Sequence, residues 1–79
     1  MKLTQLGPNK TLLQLSNGDE VFYSYETPVA GWISGKGFWK TSQKYSRTTS
    51  KHIGQYADTY RVADKTPEQV TDLLTSYGL

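Results

Sequence analysis

Seventy-nine residues without a cysteine allow one domain, spanning residues 1–79, with no disulfide or thiolate–metal staple. A chain this short buries only about 60% of its unfolded surface, so its core must come from a few large side chains, and ten aromatic rings supply them. No apolar run reaches the length of a signal peptide or a membrane span. The expectation is a cytoplasmic protein with no membrane partner.

The formal charge of +2 is unevenly distributed. Residues 1–35 set Lys2 and Lys10 against Asp19, Glu20 and Glu26. Residues 36–57 carry Lys36, Lys40, Lys44, Arg47 and Lys51 and no acid. Residues 58–79 set Arg61 and Lys65 against Asp58, Asp64, Glu68 and Asp72. The middle third is therefore basic and both flanks are acidic.

Residues 2–6 form a short mixed segment that reads as a fifth strand beside four clearer ones. Gly7-Pro8-Asn9-Lys10 is a turn, and Thr11–Leu15 a strand in which Leu13 and Leu15 alternate with Gln14. Ser16-Asn17-Gly18-Asp19 predicts a hairpin with a type I′ turn, positive φ falling on Asn17 and Gly18. Glu20–Tyr25 is the returning strand, with Val21, Tyr23 and Tyr25 on one face and Phe22, Ser24 and Glu26 on the other.

Thr27-Pro28 should break or bend the chain, since proline cannot donate to a ladder. Val29–Ser34 resumes the strand, and Gly31 inside it marks a bulge or a close backbone approach. Gly35-Lys36-Gly37 is a tight turn, and Phe38–Thr41 completes a second hairpin.

After a polar connection at Ser42–Ser46 the period changes. Thr48, Thr49 and Ser50 are candidate N-caps for a helix that puts Ile53, Tyr56 and Ala57 on one face. Asp58–Lys65 reads either as its continuation or as a strand at Thr59–Val62. Thr66-Pro67-Glu68-Gln69 combines a cap, a proline at the first helical position and a capping-box glutamine. Val70, Leu73, Leu74 and Tyr77 then share one face, and Gly78 ends the helix. The fold class that follows is α+β: a four- or five-stranded antiparallel meander with two hairpins, followed by two helices packed on one sheet face.

Catalytic chemistry finds little support. His52 is the single histidine, no carboxylate is spaced to orient it, and helix capping accounts for the hydroxyls around it. One histidine and no cysteine make no zinc site, the acids have no calcium-loop spacing, and Gly35-Lys36-Gly37 is not a phosphate loop. The expectation is a protein that is not an enzyme, with no cofactor and no metal.

The basic, aromatic stretch from Gly31 to Ile53 carries the functional reading. Cations for phosphates and flat rings for bases are what single-stranded nucleic acid requires. The candidate binding residues are Lys36, Trp39, Lys40, Lys44, Tyr45, Arg47, Lys51 and His52, with Trp39 and Tyr45 as stacking rings. Alternation splits Phe38 from Trp39: one faces the core and one faces outward, unless both sheet faces are covered. The plainer alternative is that the rings are core and the lysines keep the hairpin soluble. A host protein is the competing partner, since Trp, Tyr and Arg also anchor protein interfaces, and a small homo-oligomer is a further form of that reading.

The run Tyr25-Glu26-Thr27-Pro28-Val29-Ala30, the aromatic hairpin after it, and Tyr45-Ser46-Arg47-Thr48-Thr49-Ser50-Lys51-His52-Ile53 resemble a family of small uncharacterised proteins of bacteria, their plasmids and tailed phages. The resemblance covers roughly residues 1–57 and implies a cytoplasmic setting and a phage or mobile-element origin. It brings no catalytic or binding residues with it.

Overall fold

Strand alternation and turn chemistry build a single sheet, most of it from the first half of the chain. The computed structural model describes residues 1–43, 46–57 and 62–79. Its elements are β1 (Lys2–Gly7), β2 (Lys10–Gln14), β3 (Glu20–Ser24), β4 (Thr27–Ile33), β5 (Gly37–Thr41), α1 (Arg47–Tyr56), β6 (Ala63–Lys65) and α2 (Pro67–Ser76). The fold is α+β, and the six strands lie in sequence order. The first five form an antiparallel meander, whereas β6 pairs parallel to β5. A parallel pair needs a crossover, and α1 lies within it. The expected four or five strands are thus extended by one short parallel strand. The alternative strand at Thr59–Val62 falls mainly outside the described residues, and Val62 itself precedes β6.

The register sets two transverse rows of side chains, one on each face. Leu3, Leu13, Val21, Gly31, Trp39 and Ala63 are successive partners in one row. Thr4, Leu12, Phe22, Ala30, Lys40 and Asp64 form the other. α1 covers the second row: Ile53 and Tyr56 pack with Leu12 on the buried cluster of Phe22, Val29 and Ala30. Phe22 and Tyr56 stack with centroids 4.7 Å apart, and Phe38 meets Tyr56 edge-on at 5.5 Å.

The first row is equally buried, with Val21 at 0% and Trp39 at 1% exposure. α2 lies on that side. Its buried residue is Val70, and the Tyr77 hydroxyl at its end donates to Asp19, which has the strand parity of Val21. The expectation of both helices on one face is therefore corrected to one helix on each. The physical reason is that both faces of β3–β5 carry large apolar groups, and each needs a cover.

Trp39 fits because its row neighbour is glycine. A Cβ on Gly31 would stand 2.4 Å from the Glu20 carbonyl oxygen and 2.5 Å from Trp39 Nε1. The indole occupies the space a side chain would need, as the close-approach reading of Gly31 anticipated. Trp39 Nε1 itself has no hydrogen-bond partner among the described residues.

Three local expectations change. At the β2–β3 hairpin only Gly18 has positive φ (93°); Asn17 does not, and its side chain instead accepts from Asp19 N at 3.0 Å. With Gly18 N donating to Leu15 O and Leu15 N to Asp19 O, this is a three-residue loop closed by a glycine bulge rather than a type I′ turn. The β3–β4 reversal falls at Tyr25-Glu26, and Pro28 lies inside β4 opposite Tyr23, where the register shifts. The cap of α1 is Ser46, whose hydroxyl accepts from Thr49 N, so Thr48, Thr49 and Ser50 stand within the helix. The start of α2 is as expected, with Thr66, Pro67 and Gln69 forming a complete capping box. Its end is a Schellman motif, Gly78 N reaching Thr75 O and Leu79 N reaching Leu74 O.

Gly31→Ala should cost roughly 2–4 kcal/mol, because neither the Glu20 backbone nor the buried indole can retreat far. Urea unfolding followed by circular dichroism measures this, and a loss below about 1 kcal/mol would show that the row is not tightly packed.

Candidate functional site

α1 presents two stripes of opposite character. Thr49, His52, Ile53 and Tyr56 face the sheet, while Arg47, Lys51 and Gln55 recur every four residues on the solvent side. The helix contains no acid. α2 is its complement: Glu68 and Asp72 are exposed and no base interrupts them. Because the helices lie on opposite faces, the charge segregation along the chain becomes a segregation in space.

Beneath the basic stripe runs a chain of hydroxyls, buried at Ser24 and Thr49 and open at Ser46. Ser46 Oγ and Ser24 Oγ both donate to Thr49 Oγ1, at 3.2 and 3.3 Å, and Ser24 Oγ lies 2.8 Å from His52 Nδ1. The short Ser24–His52 contact fixes the imidazole ring against β3 and leaves its Nε2 outside this network. The network joins the α1 cap to the middle of the sheet. Ser24 is 1% exposed, so it is a positioning group and not an accessible nucleophile.

Tyr25, next in sequence, has a left-handed backbone (φ 58°), which is uncommon for an aromatic residue and costs about 1–2 kcal/mol. Its N–H donates to the Asn9 carbonyl at 2.7 Å, tying the β1–β2 and β3–β4 turns together. The result is a half-exposed ring whose centroid lies 6.1 Å from that of His52.

Between these groups is a small cavity of about 140 Å³, lined by Leu6, Lys10, Phe22, His52, Gln55 and Tyr56. Lys10 Nζ donates to Gln55 Oε1 at 3.1 Å across its rim. At the other end of α1, a more polar groove of about 320 Å³ opens among Lys40, Thr41, Ser42, Gln43, Ser50 and Asp64, above Ile53. Lys40 stands 4.0 Å from Asp64 there.

The candidate residues read from the sequence divide sharply. Arg47 and Lys51 are exposed on α1, Lys40 at the end of β5, and Lys36 in the β4–β5 turn. His52 is on the same side but buried and hydrogen-bonded. Trp39 is a correction: it is in the core beneath the opposite face and offers no ring to a base. Lys44 and Tyr45 lie outside the described residues. The reading missed Tyr25, Lys10 and Gln55. Gln55 was discoverable as the next step of the Arg47–Lys51 spacing, whereas Lys10 joins the site only through long-range strand pairing. Among the described residues no group of three or more His, Cys, Asp or Glu comes together as a metal site, and no helix is long and apolar enough to cross a membrane.

Two tyrosines lock the scaffold to buried or half-buried carboxylates. Tyr56 Oη donates to Glu20 Oε1 at 2.9 Å, and Tyr77 Oη donates to Asp19, which also accepts from Ser34 N. Burial first, and then the adjacent carboxylate, pushes both phenols well above their ordinary value of 10.0. A raised folded-state value stabilises the fold fully below the unfolded value and less as pH rises beyond it. Stability should therefore decline above about pH 10. In an absorbance titration, Tyr56 and Tyr77 should ionise only as the protein unfolds, and burial should also raise Tyr23. If all six titrate near pH 10 with the fold intact, the two hydroxyl–carboxylate locks do not operate.

Residues 1–72 match the model of a protein family, DUF8033, described as a family of unknown function. No curated protein and no solved structure matches the chain. The match takes in every strand and the first half of α2, so the chain belongs to this family of unknown function.

Proposed function

We propose that the protein is a small, non-enzymatic, cytoplasmic nucleic-acid-binding protein that engages a single strand across the exposed face of α1. The carrying observation is the opposition of the two helices: α1 carries Arg47 and Lys51 and no acid, and α2 carries Glu68 and Asp72 and no base. A polyanion is drawn to the first face and repelled by the second. Lys36, Lys40, Arg47 and Lys51 meet phosphates, and the acid-free first turn of α1 adds its favourable dipole. Tyr25 takes over the stacking role that a buried Trp39 cannot perform. Resemblance to small proteins of bacteria, plasmids and tailed phages fits a mobile-element origin for such a binder.

Anisotropy of a labelled single-stranded oligonucleotide is the suitable measurement, because Trp39 is too buried to report contact. Four phosphate contacts should give a slope of log affinity against log salt of about −3. The double variant Arg47→Glu, Lys51→Glu should weaken binding by at least about tenfold and flatten that slope. Glu68→Gln with Asp72→Asn should leave binding unchanged or slightly tighter. Equal effects from the two helices would remove the reading.

A second reading, self-association, is favoured by β1. It is a six-residue edge strand with one charge, and Leu3 and Leu6 are 68% and 48% exposed. β6, at the other edge, has only three residues. One open edge and one short edge favour a closed dimer over a fibre. Sedimentation should show a concentration-dependent dimer that Leu3→Lys abolishes, and a monomer at every concentration would exclude it.

A further inference from the structure

We infer that the cavity beside α1 is a pocket for one unstacked pyrimidine base, an inference that rests on the single-strand reading and gives it a base preference. Three features of the cavity lead to this ligand.

The first is size. An interior cavity of about 150 Å³ accommodates a benzene molecule. The present one, at about 140 Å³, has room for one six-membered ring. The second is an apolar lining suited to an aromatic guest. Phe22 and Tyr56 form a stacked pair at the cavity, and Leu6 lines it with them. Leu6 has the strand parity of Thr4, which lies in the row that α1 covers, and it is left unpaired where the β1 register shifts between Gln5 and Gly7.

The third is polarity. Lys10 Nζ and the Gln55 amide N are donors at the rim, and the His52 ring, held through Nδ1 by Ser24, lines the cavity beside them. Two donors complement the two carbonyl oxygens of thymine or uracil. The hydroxyl chain through Ser24, Thr49 and Ser46 thus gains a purpose: it fixes the orientation of the imidazole at the cavity.

The pocket also lies where a bound strand would pass. Gln55 continues the Arg47–Lys51 stripe, placing the rim about 12 Å along the helix from Arg47. Tyr25 stands beside His52 as a platform for the neighbouring base.

Two measurements test the pocket separately from the strand reading. In the first, isotope-labelled protein is titrated with free thymidine, then with adenosine, at millimolar concentration. Thymidine should shift the Gln55 side-chain amide and the His52 ring resonances, and adenosine should shift them less. Leu6→Trp, which fills the cavity from an exposed position, should abolish the response while the rest of the spectrum stays folded. No shift with thymidine, or shifts that survive Leu6→Trp, overturns the pocket.

In the second, oligothymidylate, oligodeoxyadenylate and an abasic strand of equal charge are compared by anisotropy. Oligothymidylate should bind about tenfold more tightly than either. Leu6→Trp should erase that margin without changing the salt slope. Equal binding of the three strands overturns the pocket and leaves the electrostatic reading standing. A thymidine response with no oligonucleotide binding does the reverse.

Discussion

The contact of Trp39 with the backbone of Gly31 sets the arrangement of everything else. A large indole on the middle of a sheet must be covered, and it can lie there only because the neighbouring residue has no side chain. Trp39 then commits one sheet face to α2, while Phe22 on the other commits that face to α1. The chain accommodates both helices by adding β6 parallel to β5, which requires a crossover and places α1 in it. A domain of this size gains stability chiefly by burying rings on both sides of one sheet.

The same arrangement turns a linear charge pattern into a two-faced molecule. Had both helices packed on one face, Arg47 and Lys51 would stand near Glu68 and Asp72 and neutralise them locally. Divided by the sheet, the two pairs are screened from one another by the protein's own width, beyond a Debye length of about 8 Å at physiological salt. Net charge alone would not disclose this, since the whole chain carries only +2.

Local chemistry was well written in the sequence and long-range chemistry was not. The α2 cap, its proline and Gly78 were legible because each acts within four residues of itself. The strands of β2 through β5 were legible from alternation and turn residues. β6 was not: Ala63-Asp64-Lys65 has no apolar pattern, and it exists only because the β5 edge is there to pair with. Likewise, alternation correctly separated Phe38 from Trp39 but could not say that both faces were covered. The glycine at 31 held the missing information, since it marks which ring lies against bare backbone. Ser46 was hidden among Ser42, Thr48, Thr49 and Ser50, and only the helix geometry selects it.

The candidate site follows the same division. Arg47 and Lys51 are near neighbours in sequence and their shared helix face was legible; Lys10, Ser24 and Tyr25 come from a different part of the chain, and their approach to α1 was not. What unites them is that Tyr25 adopts an unfavourable backbone at the point where two hairpin turns are tied together. Asn9 and Tyr25 are the two non-glycine residues with positive φ among the described ones, and a single hydrogen bond joins them. Asparagine tolerates that conformation and tyrosine does not. A glycine or asparagine at 25 would fold with less strain, so the ring there is best understood by what it does at the surface. Strain kept beside a buried histidine, an apolar cavity and a basic helix supports the binding site proposed there.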